Sequence, residues 1–114
     1  MTMNASQVGF NPDYGQDAPT IDQVRALADY AILEFGTPWC GHCKASWPAV
    51  EDVLSELKVP HIKVYDGKGK VLGRQFQIKL WPTLILLHAA EEVARLVRPL
   101  QVKEVLELVA HTKQ

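Results

Sequence analysis

Trp39-Cys40-Gly41-His42-Cys43-Lys44 decides how this chain is read, because it holds the only two cysteines among 114 residues. Cysteines at this spacing can close a small disulfide ring without moving the rest of a fold. The preceding run, Ala31-Ile32-Leu33-Glu34-Phe35, is nearly all apolar and reads as a strand buried on both faces, as a parallel sheet requires. Gly36-Thr37-Pro38 breaks it. Beyond the cysteines, Ala45, Val50, Val53, Leu54 and Leu57 recur with helical period to about residue 58, with Pro48 inside the helix as a source of a kink. The pair therefore sits where a strand hands over to a helix. The first sulfur meets unpaired backbone N–H groups and the positive end of the helix dipole there. Both favour the thiolate, the form that attacks disulfides.

On the N-terminal side, residues 1–19 are polar, carry Pro12, Gly15 and Pro19, and read as an irregular arm that Phe10 and Tyr14 could anchor. Thr20 offers an N-cap and Gln23 completes a capping box, with Ile21, Val24, Leu27 and Ala28 at helical spacing, so a short helix is expected over 20–28. On the C-terminal side, His61 to Tyr65 alternates as a strand, Asp66-Gly67-Lys68-Gly69 is a turn, and a short helix is expected within 70–79. Thr83 to Leu87, after Pro82, and Glu92 to Val97 read as two more strands. Val102, Val105, Leu106 and Val109 mark a closing amphipathic helix. Residues 20–114 are thus expected to form one domain.

A hydrophobic content of 47% suits one compact core. The net charge of −1 points to neither nucleic acid nor an anionic membrane surface, and no apolar run is long enough to span a bilayer. The start, Met1 to Ser6, has neither a basic nor an apolar signal region, which makes a cytoplasmic location the default expectation. In a reducing compartment a lone C-x-x-C reads as redox or metal chemistry before it reads as a structural staple. Zinc normally takes four ligands, and the other candidates, His42, His61, His88 and His111, are scattered. Lys44 after Cys43 excludes a c-type haem site. No metal and no cofactor is expected. A static disulfide stays open as the bland alternative, and His61, His88 and His111 read as strand-end or surface residues.

From about Ala31 to the last helix the chain resembles the thioredoxin family. The resemblance rests on W-C-G-x-C-K with Pro48 five residues after Cys43, on Trp81-Pro82-Thr83 as the family's cis-proline loop, and on Glu34 six residues before Cys40 as its buried acid. Lys63 falls where the family places a lysine that pairs with that acid. Gly-His between the cysteines is similar to protein disulfide isomerases rather than to the Gly-Pro of reducing thioredoxins. Three positions depart from the pattern: Gly36 replaces an aromatic, Trp81 a smaller residue, and Arg98 a glycine beside the active site.

The resemblance implies an α/β thioredoxin fold, a central mixed sheet of four or five strands with helices on both faces. It implies a thiol–disulfide oxidoreductase, a monomer acting on protein disulfides or dithiols, with a thioredoxin-reductase-type electron donor. Cys40 would be the nucleophile, Cys43 the resolving thiol, Glu34 the proton acceptor with Lys63 as the cation paired to it, and His42 the tuner of the redox couple. Trp39, Gly41, Trp81, Pro82 and Thr83 would form the substrate groove, and Trp47 would belong to the core or to helix packing. A docking module with an inert or regulatory dithiol is the alternative, with zinc binding third.

Overall fold

Strand β1 (Tyr30–Gly36) is buried along almost its whole length because it runs through the middle of the sheet. In this computed structural model, described over residues 20–27, 29–67 and 71–112, the elements follow in the expected order. They are α1 (Ile21–Arg25), β1, α2 (Gly41–Leu54), β2 (His61–Tyr65), α3 (Leu72–Gln75), β3 (Thr83–His88), β4 (Glu91–Val97) and α4 (Val102–Val109), then a short 3₁₀ turn, Ala110–Thr112. The N-terminal arm, Ala28, and Lys68 and Gly69 of the expected turn lie outside the described residues.

Among the described residues the sheet has four strands in the order β2-β1-β3-β4. β1 pairs in parallel with β2 and antiparallel with β3, and β3 pairs antiparallel with β4, so the sheet is mixed. Register is interrupted by a bulge between Leu86 and Leu87.

Alternation along the central strands sends successive side chains to opposite faces. Leu33, Phe35, Ile62, Val64, Ile85 and Leu87 meet Val24 of α1 and Leu72 of α3. Ile32, Leu84 and Leu86 meet Ala49, Val50, Val53 and Leu54 of α2 and Val105, Leu108 and Val109 of α4. Helices therefore cover both faces. The expected capping box is present at α1, where Thr20 Oγ1 accepts from the Gln23 N–H and Gln23 Oε1 from the Thr20 N–H. Helix α2 continues through Pro48 and ends at Leu54, a few residues before its expected limit.

Candidate active site

The β1–α2 junction fixes the cysteines. Thr37 O accepts from the Cys40 N–H at 3.3 Å, and Cys40 O accepts from the Lys44 N–H at 3.1 Å, which closes the first helical turn. Cys40 is the N-cap of α2, with extended φ −79° and ψ 122°, and its Sγ accepts the Cys43 N–H at 3.1 Å. A side-chain acceptor at this place satisfies one of the helix's orphan donors, and the interaction strengthens when the acceptor carries negative charge. Cys40 and Cys43 are free thiols with exposures of 8% and 5%, so burial hardly separates them. Position does: Cys40 caps the helix, whereas Cys43 lies on the buried side of its first turn. His42 and Gly41 are exposed, and a side chain at Gly41 would meet open space.

The second wall is the loop that enters β3. Its Trp81–Pro82 peptide bond is cis. The Trp39 and Trp81 rings meet edge to face with centroids 5.6 Å apart, which joins the loop to the residue before Cys40. Trp39 is 63% exposed and Leu80 48%, so the junction presents apolar surface to solvent. Trp81 Nε1 donates to Asp66 Oδ2 at 2.9 Å, and Arg98 Nε donates to Trp81 O at 2.8 Å. Burial raises the pKa of Asp66, although the Trp81 N–H and the Arg74 charge act against that rise. Asp66 also presses on Gly73, where any side chain would collide with its carboxylate. Thr83 does not line the surface expected of it. It is buried, and its hydroxyl donates to Leu80 O at 2.7 Å, so it braces the loop from inside.

Beneath α2, three polar side chains share the sheet face that carries Ile32. Glu34 lies beside Lys63 in the β1–β2 register, and His61 lies two residues before Lys63 on the same face. The residue that sequence reasoning missed is His61. It begins β2, as a strand-end histidine should, but it is buried, and its Nε2 is 2.7 Å from Glu34 Oε1 with both side chains under 5% exposed. The expected Glu34–Lys63 pair therefore has to admit an imidazole at the carboxylate. Lys63 Nζ sits 4.4 Å from the Trp47 ring centroid, a cation–π arrangement. Trp47 itself is not in the core: it is 37% exposed and donates through Nε1 to Glu51 Oε1. Among the described residues no group of three or more His, Cys, Asp or Glu side chains is placed to hold a metal ion.

A capped C-x-x-C helix beside a proline loop, on a four-stranded mixed sheet with helices on both faces, is the arrangement of the thioredoxin fold. A family model described as thioredoxin matches residues 18–111, and the chain belongs to the thioredoxin family. Among solved structures it is similar to thioredoxin 2 from Pseudomonas aeruginosa PAO1 in its reduced form, at 43% identity and a TM-score of 0.78 over 90% of this chain and 99% of that one. It is also similar to thioredoxin f2 of Chlamydomonas reinhardtii, at 27% identity and a TM-score of 0.66 over 80% of this chain and 88% of that one. Among curated proteins it is 34% identical over 77 residues to protein disulfide-isomerase A4 of Bos taurus, a match spanning 63% of this chain and 12% of that protein. The corresponding match to a protein disulfide-isomerase of Ricinus communis is 35% over 79 residues, 63% of this chain and 16% of that protein. The chain thus spans only a small part of the length of these curated relatives.

Proposed function

We propose that the protein exchanges a Cys40–Cys43 dithiol with the disulfides of other proteins. The observation that carries this reading is the Cys43 N–H donated to Cys40 Sγ at the N-terminus of α2. Thiol–disulfide exchange starts from a thiolate, and this places the Cys40 sulfur where the helix offers a backbone donor.

In the reducing direction the Cys40 thiolate attacks one sulfur of the substrate disulfide. A Cys40–substrate mixed disulfide forms, and the other substrate sulfur leaves as a thiolate. Cys43 loses its proton and attacks Cys40 Sγ. The Cys40–Cys43 disulfide forms, the second substrate thiolate leaves, and two electrons have passed from protein to substrate. Glu34, hydrogen-bonded to His61 and on the sheet face that α2 covers, is the proposed acceptor of the Cys43 proton. Protonation of the two leaving thiolates completes the balance. Oxidation of a dithiol substrate is the same path reversed.

The exposed indole of Trp39, the Trp81 backbone and Pro82 form the proposed groove for an extended substrate segment, with Gly41 leaving its entrance open. His42 is the proposed tuner of the couple. An imidazole that favours the thiolate stabilises the reduced form and makes the pair more oxidising. His42→Pro should make the measured reduction potential more negative, and about 30 mV corresponds to about 1.4 kcal/mol for this two-electron couple. A cytoplasmic site with a reductase-type electron donor is the proposed setting.

Insulin reduction tests the reading. Cys40→Ser should abolish it, and Cys43→Ser should accumulate a mixed disulfide on Cys40 that non-reducing gels display. Equal activity of the wild type and Cys40→Ser would favour the docking-module alternative, to which Arg98 on the Trp81 carbonyl lends some support.

A further inference from the structure

Arg98 follows β4 in a backbone conformation that disfavours it. Its φ is 51°, in the left-handed region where a Cβ costs about 1–2 kcal/mol and glycine costs nothing. A non-glycine residue kept in such a conformation is a pointer to function when something near it over-determines the geometry. Two bonds do so here. The Arg98 N–H donates to Pro82 O at 2.9 Å, and Arg98 Nε donates to Trp81 O at 2.8 Å. Backbone and side chain therefore both clasp the proline loop, and the guanidinium is anchored by one edge only. Among the described residues nothing accepts from its two Nη groups, and the side chain is half-buried.

We infer that Arg98 is a specificity-determining residue of the groove, selecting disulfide substrates that carry a carboxylate beside the reacting cysteine. This rests on the exchange activity proposed above. Guanidinium and carboxylate match in plane and in donor–acceptor spacing, and a fork already fixed by Trp81 O loses little freedom on meeting one. The charges around the groove agree. Lys44 follows Cys43 and Lys79 lies two residues before Trp81, both exposed. The nearby carboxylate, Asp66, is already engaged by the Trp81 indole. The acidic side chains Glu51, Asp52 and Glu56 line a separate cleft towards the other end of α2, together with Leu100 and Val102. Lys44 and Lys79 thus belong to the two segments that carry the thiols and the proline loop.

The test uses three disulfide peptides that differ only in the residue next to cysteine: Glu, Gln or Lys. With the intact protein, kcat/KM for the Glu peptide should exceed that for the Gln peptide by about tenfold, mostly through KM, with the Lys peptide lowest and the ranking compressed by salt. Arg98→Gly, which suits the backbone, should bring the Glu:Gln ratio close to one, and Arg98→Lys should restore part of it. A Glu:Gln ratio that survives Arg98→Gly overturns the assignment, as does a ratio near one in the intact protein. Binding of the same peptides with serine in place of cysteine to the Cys40→Ser protein, followed by tryptophan fluorescence, separates docking from chemistry. Charge-ranked binding lost in Arg98→Gly, without exchange on any peptide, upholds Arg98 and overturns the oxidoreductase. Exchange without charge ranking does the opposite.

Discussion

The two faces of the sheet are built from the same strands and differ in kind. Leu33, Phe35, Ile62, Val64, Ile85 and Leu87 make the buried centre of one face apolar under α1 and α3, with Thr83 and Arg95 at its margins. The face under α2 and α4 sets Glu34, His61 and Lys63 among Ile32, Leu84 and Leu86, all buried. Ser46 of α2 adds a buried hydroxyl with no hydrogen-bond partner among the described residues. Apolar packing of similar volume would hold a sheet as well or better, because desolvating charges is costly even when they are paired. The polar face is the one on which α2 lays Cys43. The contrast is between apolar packing that holds the fold and a buried polar group that packing alone does not require.

Four substitutions can break or sharpen that division. The largest effect belongs to the apolar face: Phe35→Ala should cost about 3–5 kcal/mol in urea denaturation, while the molecules that stay folded keep their exchange rate. A collapse of that rate in still-folded protein would erase the distinction between the faces. Next is Glu34→Gln, which keeps the shape and removes the proposed proton acceptor. Turnover near neutral pH should slow about a hundredfold, the low end for a general acid–base group, with stability retained or raised. A rate unchanged at every pH would assign Glu34 to the scaffold.

His61→Ala takes the imidazole from the buried carboxylate and should cost about 1–3 kcal/mol. A double-mutant cycle with Glu34→Gln should show coupling, because the two side chains are 2.7 Å apart. Additive effects would dissolve the pair.

The smallest effect tests whether the cost of burial reaches the rim. Burial raises the Asp66 pKa above 3.8, so the folded protein holds that proton more tightly than the unfolded chain. The stability this confers is fully present below pH 3.8 and is lost as pH rises through the folded value. Asp66→Asn keeps an oxygen for the Trp81 indole and removes the charge. It should therefore be the more stable protein at neutral pH and lose that advantage in acid. Parallel melting curves at all pH values would show that the Asp66 charge is fully solvated.

The legible parts of this molecule are those with a local cause. The apolar run before Gly36, the helical spacing after Cys43 and the Thr20–Gln23 box each specify an element from neighbouring residues, and each is present. The site's first wall was legible for the same reason, since both cysteines lie in one helical turn. His61 was not. Its partner is 27 residues away, and only the parallel β1–β2 register brings the two side chains to one face. Of the two readings of Trp47, core or helix packing, only the second holds: it bonds Glu51 along α2, and the cation over its ring comes from strand β2, which no local spacing encodes. Arg98 was visible as a departure from the family's pattern. Its bond to the Trp81 carbonyl depends on the antiparallel return of β4 alongside β3, which no local spacing encodes.

The outer strand has one more consequence. β4 ends the sheet, and an unpaired edge is a template on which foreign strands can add and aggregates can grow. Here the register slips beside Val93, and Glu92 and Arg95 close an ion pair along the strand at 2.7 Å. Arg95 Nη2 also donates to Phe76 O, so the pair is fastened to the body. Bulges and charges of this kind blunt strand-to-strand growth. On the proposed function, chains that meet the thiols can then leave without being recruited into the sheet. Its hydrogen bond with Arg95 lowers the pKa of Glu92, so the guard keeps its charge further into acid than a free glutamate would.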